Sequence, residues 1–331
     1  MSGVFFVEFR PEYTLNIIED AAFAERMDSI RAQLDECRVS GFFPGVSGAK
    51  IFYEYFLAEG SHASVVILHG MSEFTCKHYE LAYYLLQQGY NVFLYDQRCH
   101  GRSQRLTDRM DLIHVERFFD FVEDLDLFVN NIVLPAAAKP LYLYGHSMGG
   151  AVSMFYLATH PNVFRKAILS SPLFEPHLPA PMPLAAISAW KDRLLRGAAS
   201  KLTHSNEFVA KMPEEWETNP ACSRNKYMMQ LRLDDPAYRT TPMSAGFALR
   251  ALYLTPKLMR IAKKITTPHL LISGDCDAVV KTQPHIRFAK VSPLCRLVNV
   301  PGGKHAMMCD DAKSAAHHTH LVLDYLKEDM A

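Results

Sequence analysis

The stretch "LYLYGHSMGGAVSMFYLATH" (Leu141–His160) decides how the rest of the chain is read. A β-rich run ending at Gly145 meets a helix-like run, and Ser147 stands between Gly145 and Gly149. A G-x-S-x-G match alone is weak evidence, since it arises by chance about once in ten chains of this length. Its placement adds weight. At a sharp strand-to-helix turn a serine is held out at the end of a sheet, with the unpaired N–H groups of the helix start behind it. The glycines suit such a turn because neighbouring backbone crowds it. Ser147 is a candidate nucleophile, the alternative being a small residue in a glycine-rich turn.

Working outward, "KIFYEYF" (Lys50–Phe56), "SVVIL" (Ser64–Leu68), "NVFLYD" and "KAILSSP" read as strands. Helical patterns lie between them. "HYELAYYLLQQGY" ends at Gly89, and "VERFFDFVEDLDLFVNNIV" repeats its apolar residues with helical spacing. Residues 173–262 break the rhythm, first Pro-rich and then mainly helical. It resumes with "PHLLISGD", "QPHIRFAKV", "CRLVNVPGG" and "SAAHHTHLVLDYLKEDM". Alternating strands and helices imply an α/β fold, a mostly parallel central sheet with helices on both faces. Residues 38–172 and 263–331 are expected to form this core, and 173–262 a helical cap inserted into it. Residues 1–37 form an extension with one amphipathic helix. Its Met27, Ile30 and Leu34 are expected to pack on the sheet's edge or on the insertion.

Composition bounds the class of protein. The 331 residues are 49% hydrophobic and 21% charged, and the formal net charge is zero. That is a globular profile with no Lys/Arg block to attract nucleic acid. The first residues lack the cationic start and long apolar run of a signal peptide, and no stretch has the ~18 apolar residues of a membrane span. The seven cysteines form no C-x-x-C, which suits reduced thiols in a cytoplasmic protein.

A serine hydroxyl needs a base to take its proton. In this arrangement an acid and a histidine should follow on loops after later strands. Asp275 and Asp277 lie just beyond the strand in "LLISGDCDAVV". His305 lies in the Gly-rich loop of "LVNVPGGKHAMM". Asp277 is preferred because it stands further from the strand end and can reach across the loop; Asp275 would turn or cap it. Asp277 would fix the tautomer of His305, which would take the Ser147 proton and return it to the leaving group. A free imidazole titrates near ~6.5, so activity resting on one is expected to rise with pH through that region. The tetrahedral oxygen needs two backbone donors. The N–H of Met148 follows the nucleophile, and His69-Gly70 lets the chain turn closely to offer the N–H of Met71.

Together these stretches resemble the α/β-hydrolase superfamily, in its monoglyceride lipase and lysophospholipase branch. "HGMSE", "GYNVFLYDQRCHGRS", "GHSMGG", "GDCDAVV" and "GGKH" match that branch's ordered motifs over about residues 38–328. The resemblance implies an α/β-hydrolase fold with Ser147, Asp277 and His305 as a triad and Met71 and Met148 as oxyanion donors. It puts Glu73, beside His69 and Gly70, at the position of an acid that supports the loop. It also implies a serine carboxylic-ester hydrolase acting through an acyl-enzyme on lipid-like monoesters. One position departs: Cys99 stands where the branch has glycine, so the loop geometry that glycine allows is expected to differ. Cys99 is either a reactive thiol near the site or a buried inert one.

Specificity is expected from the cap. "LAAISAWKDRLL" sets Leu184, Ile187, Trp190, Leu194 and Leu195 at helical spacing. That stripe could line an acyl pocket, touch a membrane or lipid aggregate from the cytoplasmic side, or pack the cap onto the sheet. Two other functions stay open. An aminopeptidase-like hydrolase would need cap carboxylates for a substrate amine, and Glu214, Glu215 and Glu217 could supply them. A non-catalytic binding protein is the other, against which the ordered triad argues. His317, His318 and His320 raise metal binding, but lack a carboxylate set nearby. No metal or cofactor is required, and EDTA is expected to leave activity unchanged. Oligomeric state is not legible.

Overall fold

A computed structural model describes residues 16–178, 181–203 and 222–328, apart from the side chains of Met182 and Thr255. Eight strands form one sheet in the order β1-β2-β4-β3-β5-β6-β7-β8. They are β1 (Val39–Pro44), β2 (Lys50–Phe56), β3 (Ala63–Leu68), β4 (Tyr90–Tyr95), β5 (Leu141–His146), β6 (Lys166–Ser170), β7 (His269–Gly274) and β8 (Cys295–Val300). From β4 to β8 every neighbouring pair is parallel. β1–β2 and β2–β4 are antiparallel. The expected mostly parallel sheet is present. β1 was not foreseen, because "VSGFFP" carries a glycine and a proline and reads as a turn.

Helices cover both faces. One side holds α1 (Phe23–Cys37), α2 (Tyr79–Gln87) and α11 (Ala312–Lys327). The other holds α3 (Phe119–Phe128), which continues through a π turn into α4 (Leu134–Ala136), with α5 (Met148–Thr159) and α10 (Thr282–Val291). Strand alternation explains the division. Val65 and Ile67 of β3 join the first core, whereas Val66 and Leu68 join the second. A strand buried on both faces must be apolar throughout, which is why "SVVIL" shows no polar alternation.

Between β6 and β7 lie α6 (Met182–Arg196), α7 (Ser223–Asp234), α8 (Ala245–Leu252) and α9 (Leu254–Ile261). They do not pack as one unit. Leu254 and Leu258 of α9 join the core beneath α5, and Tyr227, Met228 and Leu231 of α7 join the core beneath α1. α6 and α8 meet through a small cluster of their own, around Ala186, Ala189, Ala248, Leu249 and Leu252. Phe23, Met27, Ile30 and Leu34 of α1 are buried against α2 and α7. Among the described residues, no helix is long and apolar enough to cross a membrane.

Candidate active site

The turn from β5 into α5 carries Ser147 at φ 50°, ψ −114°. Only L residues held firmly by their surroundings keep a positive φ of this kind. The Ser147 N–H donates to the Ser170 carbonyl at 2.9 Å, and its own carbonyl accepts from Leu173 at 2.8 Å. The flanking glycines are steric necessities. A Cβ on Gly149 would lie 2.4 Å from the Leu68 carbonyl oxygen, and one on Gly145 would lie 2.5 Å from Ser153 Oγ.

Ser147 Oγ lies 2.9 Å from His305 Nε2, and His305 Nδ1 lies 2.8 Å from Asp277 Oδ2. All three side chains are buried. Burial would push the Asp277 carboxyl up, but the hydrogen bond and charge of His305 oppose it. With the N–H groups of Val280 and Val279 they hold it below the ordinary aspartate value. Asp275 turns away to accept the Gly302 N–H at 2.7 Å, bracing one loop against the other. The two candidate aspartates therefore separate into one that meets the imidazole and one that holds the loop.

Met148 is the first residue of α5, where an N–H has no helical partner. Among the described residues the N–H groups of Met71 and Met148 are not taken up by another protein group. The loop bearing Met71 abuts the elbow, since a Cβ on Gly70 would lie 3.1 Å from the Ser147 Cβ. His69 is buried and neutral, because burial drives its imidazole well below the usual value. Its Nδ1–H donates to the Gly70 carbonyl at 2.7 Å and its Nε2 accepts from the Gln97 N–H at 2.9 Å, which fixes the tautomer.

Glu73 is the centre of a buried polar group that sequence reasoning found only in part. It accepts the Gly70 N–H at 2.6 Å, Lys77 Nζ at 2.7 Å and His78 Nε2 at 3.1 Å. His146 Nδ1 stands 2.9 Å from Oε1, the oxygen that accepts Lys77, at ion-pair distance but out of line for a hydrogen bond. Burial opposes the charge on Glu73, yet His146 and Lys77 outweigh it and hold the carboxyl well below the usual range. His146 Nε2 then donates to the His305 carbonyl at 3.2 Å. The loops that carry Ser147, Gly70 and His305 are thus tied together. The signal was present in "GHS", where His146 precedes the serine, but its partners lie far away in sequence. Arg98 was likewise missed: it clamps its loop to α3 through Asp124, with both contacts at 2.6 Å.

Cys99 adopts φ 63°, in the left-handed region that favours glycine. The thiol is buried, donates to the His114 carbonyl at 2.9 Å, and is pushed up by burial. The α6 stripe differs from one expectation. Leu184, Ile187, Trp190, Leu194 and Leu195 are 57, 63, 53, 67 and 72% exposed, so they do not pack α6 onto the sheet. The buried side of α6 is Ala186, Ala189 and Asp192: the two alanines let the helix lie close to α8, and Asp192 accepts the Thr203 N–H and hydroxyl. His318 Nε2 lies 3.2 Å from both Tyr144 and Ser170 hydroxyls, while His320 Nδ1 donates to the Ala316 carbonyl at 2.8 Å. Among the described residues no group of three or more His, Cys, Asp or Glu is arranged to hold a metal ion. Glu214, Glu215 and Glu217 lie outside the described residues.

A serine elbow after a central strand, with acid and histidine beyond the last two strands of a mostly parallel sheet, defines an α/β-hydrolase. The chain belongs to the serine aminopeptidase S33 family, whose profile matches residues 59–312. Among its relatives, lysophospholipase L2 of Escherichia coli K12 is 28% identical over 309 residues, covering 86% of each chain. Monoglyceride lipase of Rattus norvegicus is 28% identical over 247 residues, covering 74% of this chain and 76% of the relative. A soluble variant of monoglyceride lipase from Saccharomyces cerevisiae, solved with a substrate analog, has the same fold. Its TM-score is 0.71 at 20% identity, over 87% of this chain and 94% of that one.

Proposed function

We propose that this protein hydrolyses single-chain lipid esters, monoacylglycerols or lysophospholipids, through an acyl-enzyme at Ser147. The observation that carries the reading is the unbroken relay Ser147 Oγ–His305–Asp277, with spacings of 2.9 and 2.8 Å. The lipid substrate is supported by relatives named lysophospholipase and monoglyceride lipase, and by the exposed apolar face of α6.

In this reading Ser147 Oγ attacks the acyl carbon as its proton passes to His305 Nε2. Asp277 stabilises the imidazolium through Nδ1–H. The oxygen of the tetrahedral intermediate lies between the N–H groups of Met71 and Met148, where losing one donor costs ~10²–10³ in turnover. The Nε2 proton then leaves with the alcohol. Water repeats the sequence on the acyl-enzyme, giving its proton to Nε2 as it attacks and releasing the fatty acid as Ser147 regains a proton. Three side chains, two N–H groups and the attacking water account for every proton and charge that moves, so the steps call for no cofactor or metal. Residues 173–262 act as the cap, and α6 bearing Leu184, Ile187 and Trp190 meets the lipid surface. The protein works in the cytoplasm, peripherally at the inner face of the membrane.

A second reading, cleavage of an amide next to a free amine, has the family's aminopeptidase description in its favour. Its cap carboxylates, Glu214, Glu215 and Glu217, lie outside the described residues. A panel of monoacylglycerols, lysophospholipids, p-nitrophenyl esters and aminoacyl amides separates the two. Lipid monoesters are expected to give the highest kcat/KM, and amides ahead of every ester would sink the lipase reading. Fluorophosphonate is expected to label the wild type and not Ser147→Ala; an unlabelled wild type would favour a non-catalytic binding protein.

A further inference from the structure

The oxyanion loop is also held from helix α7, remote from it in sequence. Arg232, buried in the last turn of α7, donates from Nη2 to the Ser72 carbonyl at 2.6 Å. Its guanidinium stands 5.9 Å from the centre of the Phe74 ring, and Tyr238, just beyond α7, stacks on that ring at 4.1 Å and 14°. Ser72 sits at φ 62°. That left-handed conformation is unfavourable for a non-glycine residue and persists only where the surroundings impose it. At the loop's start, Glu73 accepts the Gly70 N–H at 2.6 Å. One fixed point is thus the Gly70 N–H and the other the Ser72 carbonyl. The residue between them is Met71.

Arg232 is itself firmly mounted. Arg224, in the first turn of the same helix, is fully buried. It donates to Glu80 of α2 at 2.8 and 3.0 Å, to the Ile18 carbonyl at 2.6 Å and to Asp20 at 2.6 Å. Arg239 holds the other end of α7, donating to the carbonyls of Arg232 at 2.7 Å and Leu233 at 2.5 Å. α7 is therefore fixed at both ends, and its last turn reaches the loop beside the nucleophile.

We propose that Arg232 is a positioning residue: by holding the Ser72 carbonyl it aims the Met71 N–H at the oxygen of the tetrahedral intermediate. This rests on the reading of Ser147 as the group that accepts the acyl chain. The test compares Arg232→Ala, Arg232→Gln and Arg232→Lys with wild type, using p-nitrophenyl butyrate and a trifluoromethyl ketone. The ketone's hemiketal oxygen takes the oxyanion position. For Arg232→Ala kcat is expected to fall about tenfold, part of the ~10²–10³ that a lost donor costs, with KM within about twofold. Ketone affinity falls by the same factor, and Arg232→Lys restores part of both. A folded Arg232→Ala with unchanged kcat, or with reduced kcat but unchanged ketone affinity, overturns the proposal. Should the alanine variant not fold, Arg232→Gln, which keeps most of the volume, carries the same comparison. A wild type inert to both the ketone and a fluorophosphonate would overturn the Ser147 reading itself. A reactive wild type with indifferent Arg232 variants overturns only the positioning role.

Discussion

At Ser147, φ 50° sets the hydroxyl 2.9 Å from His305 Nε2, and Asp277 fixes the far side of that ring at 2.8 Å. Only a carboxylate can accept from Nδ1–H while its other oxygen takes the N–H groups of Val279 and Val280. Asp277→Asn is therefore expected to keep the fold and lower kcat about 10⁴-fold, because the amide favours the wrong imidazole tautomer. Steady-state kinetics beside a thermal melt checks this; a loss under tenfold would remove Asp277 from the relay. The Asp277 carboxyl is depressed, so its stabilising effect is complete above the ordinary aspartate value near ~3.9 and is lost only as pH falls through its lower folded value. Loss of activity between pH 5 and 6 on the order of one ionisation would thus not belong to Asp277. Cys99 gives a second prediction of this kind. Iodoacetamide is expected to modify the exposed Cys37 and Cys276 in native protein and to leave Cys99 untouched until denaturant is added. Peptide mapping reads the outcome directly. Glu73 gives a third. Glu73→Gln removes the buried carboxylate shared by Lys77, His78 and the Gly70 N–H, so a destabilisation of about 3–5 kcal/mol is expected in urea titration, with activity falling further than the folded fraction.

Helix α6 is the element whose role the sequence left most open. Its apolar residues repeat at helical spacing, which fits burial or display equally well. Which one holds depends on what lies opposite, and here Ala186 and Ala189 face the neighbouring helix. Replacing Trp190 and Leu194 with aspartate is expected to cut co-sedimentation with phospholipid vesicles and turnover of aggregated monoacylglycerol several-fold. Turnover of monomeric p-nitrophenyl butyrate should stay unchanged, since the relay is untouched. Equal loss on both substrates would mean that α6 shapes the catalytic site. The meeting of Ser147, Asp277 and His305 was legible for the opposite reason. Ser147, Asp277 and His305 each sit at a strand end, where chain order and loop chemistry leave few alternatives. β3 through β7 were legible because burial on both faces forces apolar runs. β1 was not, since an edge strand tolerates Gly41 and Pro44. Arg98–Asp124, Glu73–His146 and Arg232–Ser72 were hidden because each joins segments remote in sequence, and no spacing rule reaches across them.

Over the whole molecule, Arg224 ties together three such segments: Asp20 before α1, Glu80 on α2 and its own helix α7. The order of the chain puts α7 in the insertion between β6 and β7, but its buried contacts make it part of the frame that carries the Met71 loop. The pH dependence of stability tests that role. Burial lifts the Glu80 carboxyl above its ordinary value of 4.5, and Arg224 is the largest influence holding it down. Between the unfolded and folded values, the folded protein keeps a proton that the unfolded chain releases, so stability falls as pH rises and levels off above the folded value. Arg224→Met removes the restraint, raises the folded value further and widens that window. The deficit against wild type should therefore grow between pH 5 and pH 8, by up to about 1.4 kcal/mol per unit. Melting curves at pH 5, 6.5 and 8 read it. Adding Glu80→Gln to Arg224→Met removes the carboxyl that titrates, so the gap should stop widening with pH. If the gap is flat in the single variant, Arg224 is not the counter-ion of Glu80, and α7 is held in place by its apolar face alone.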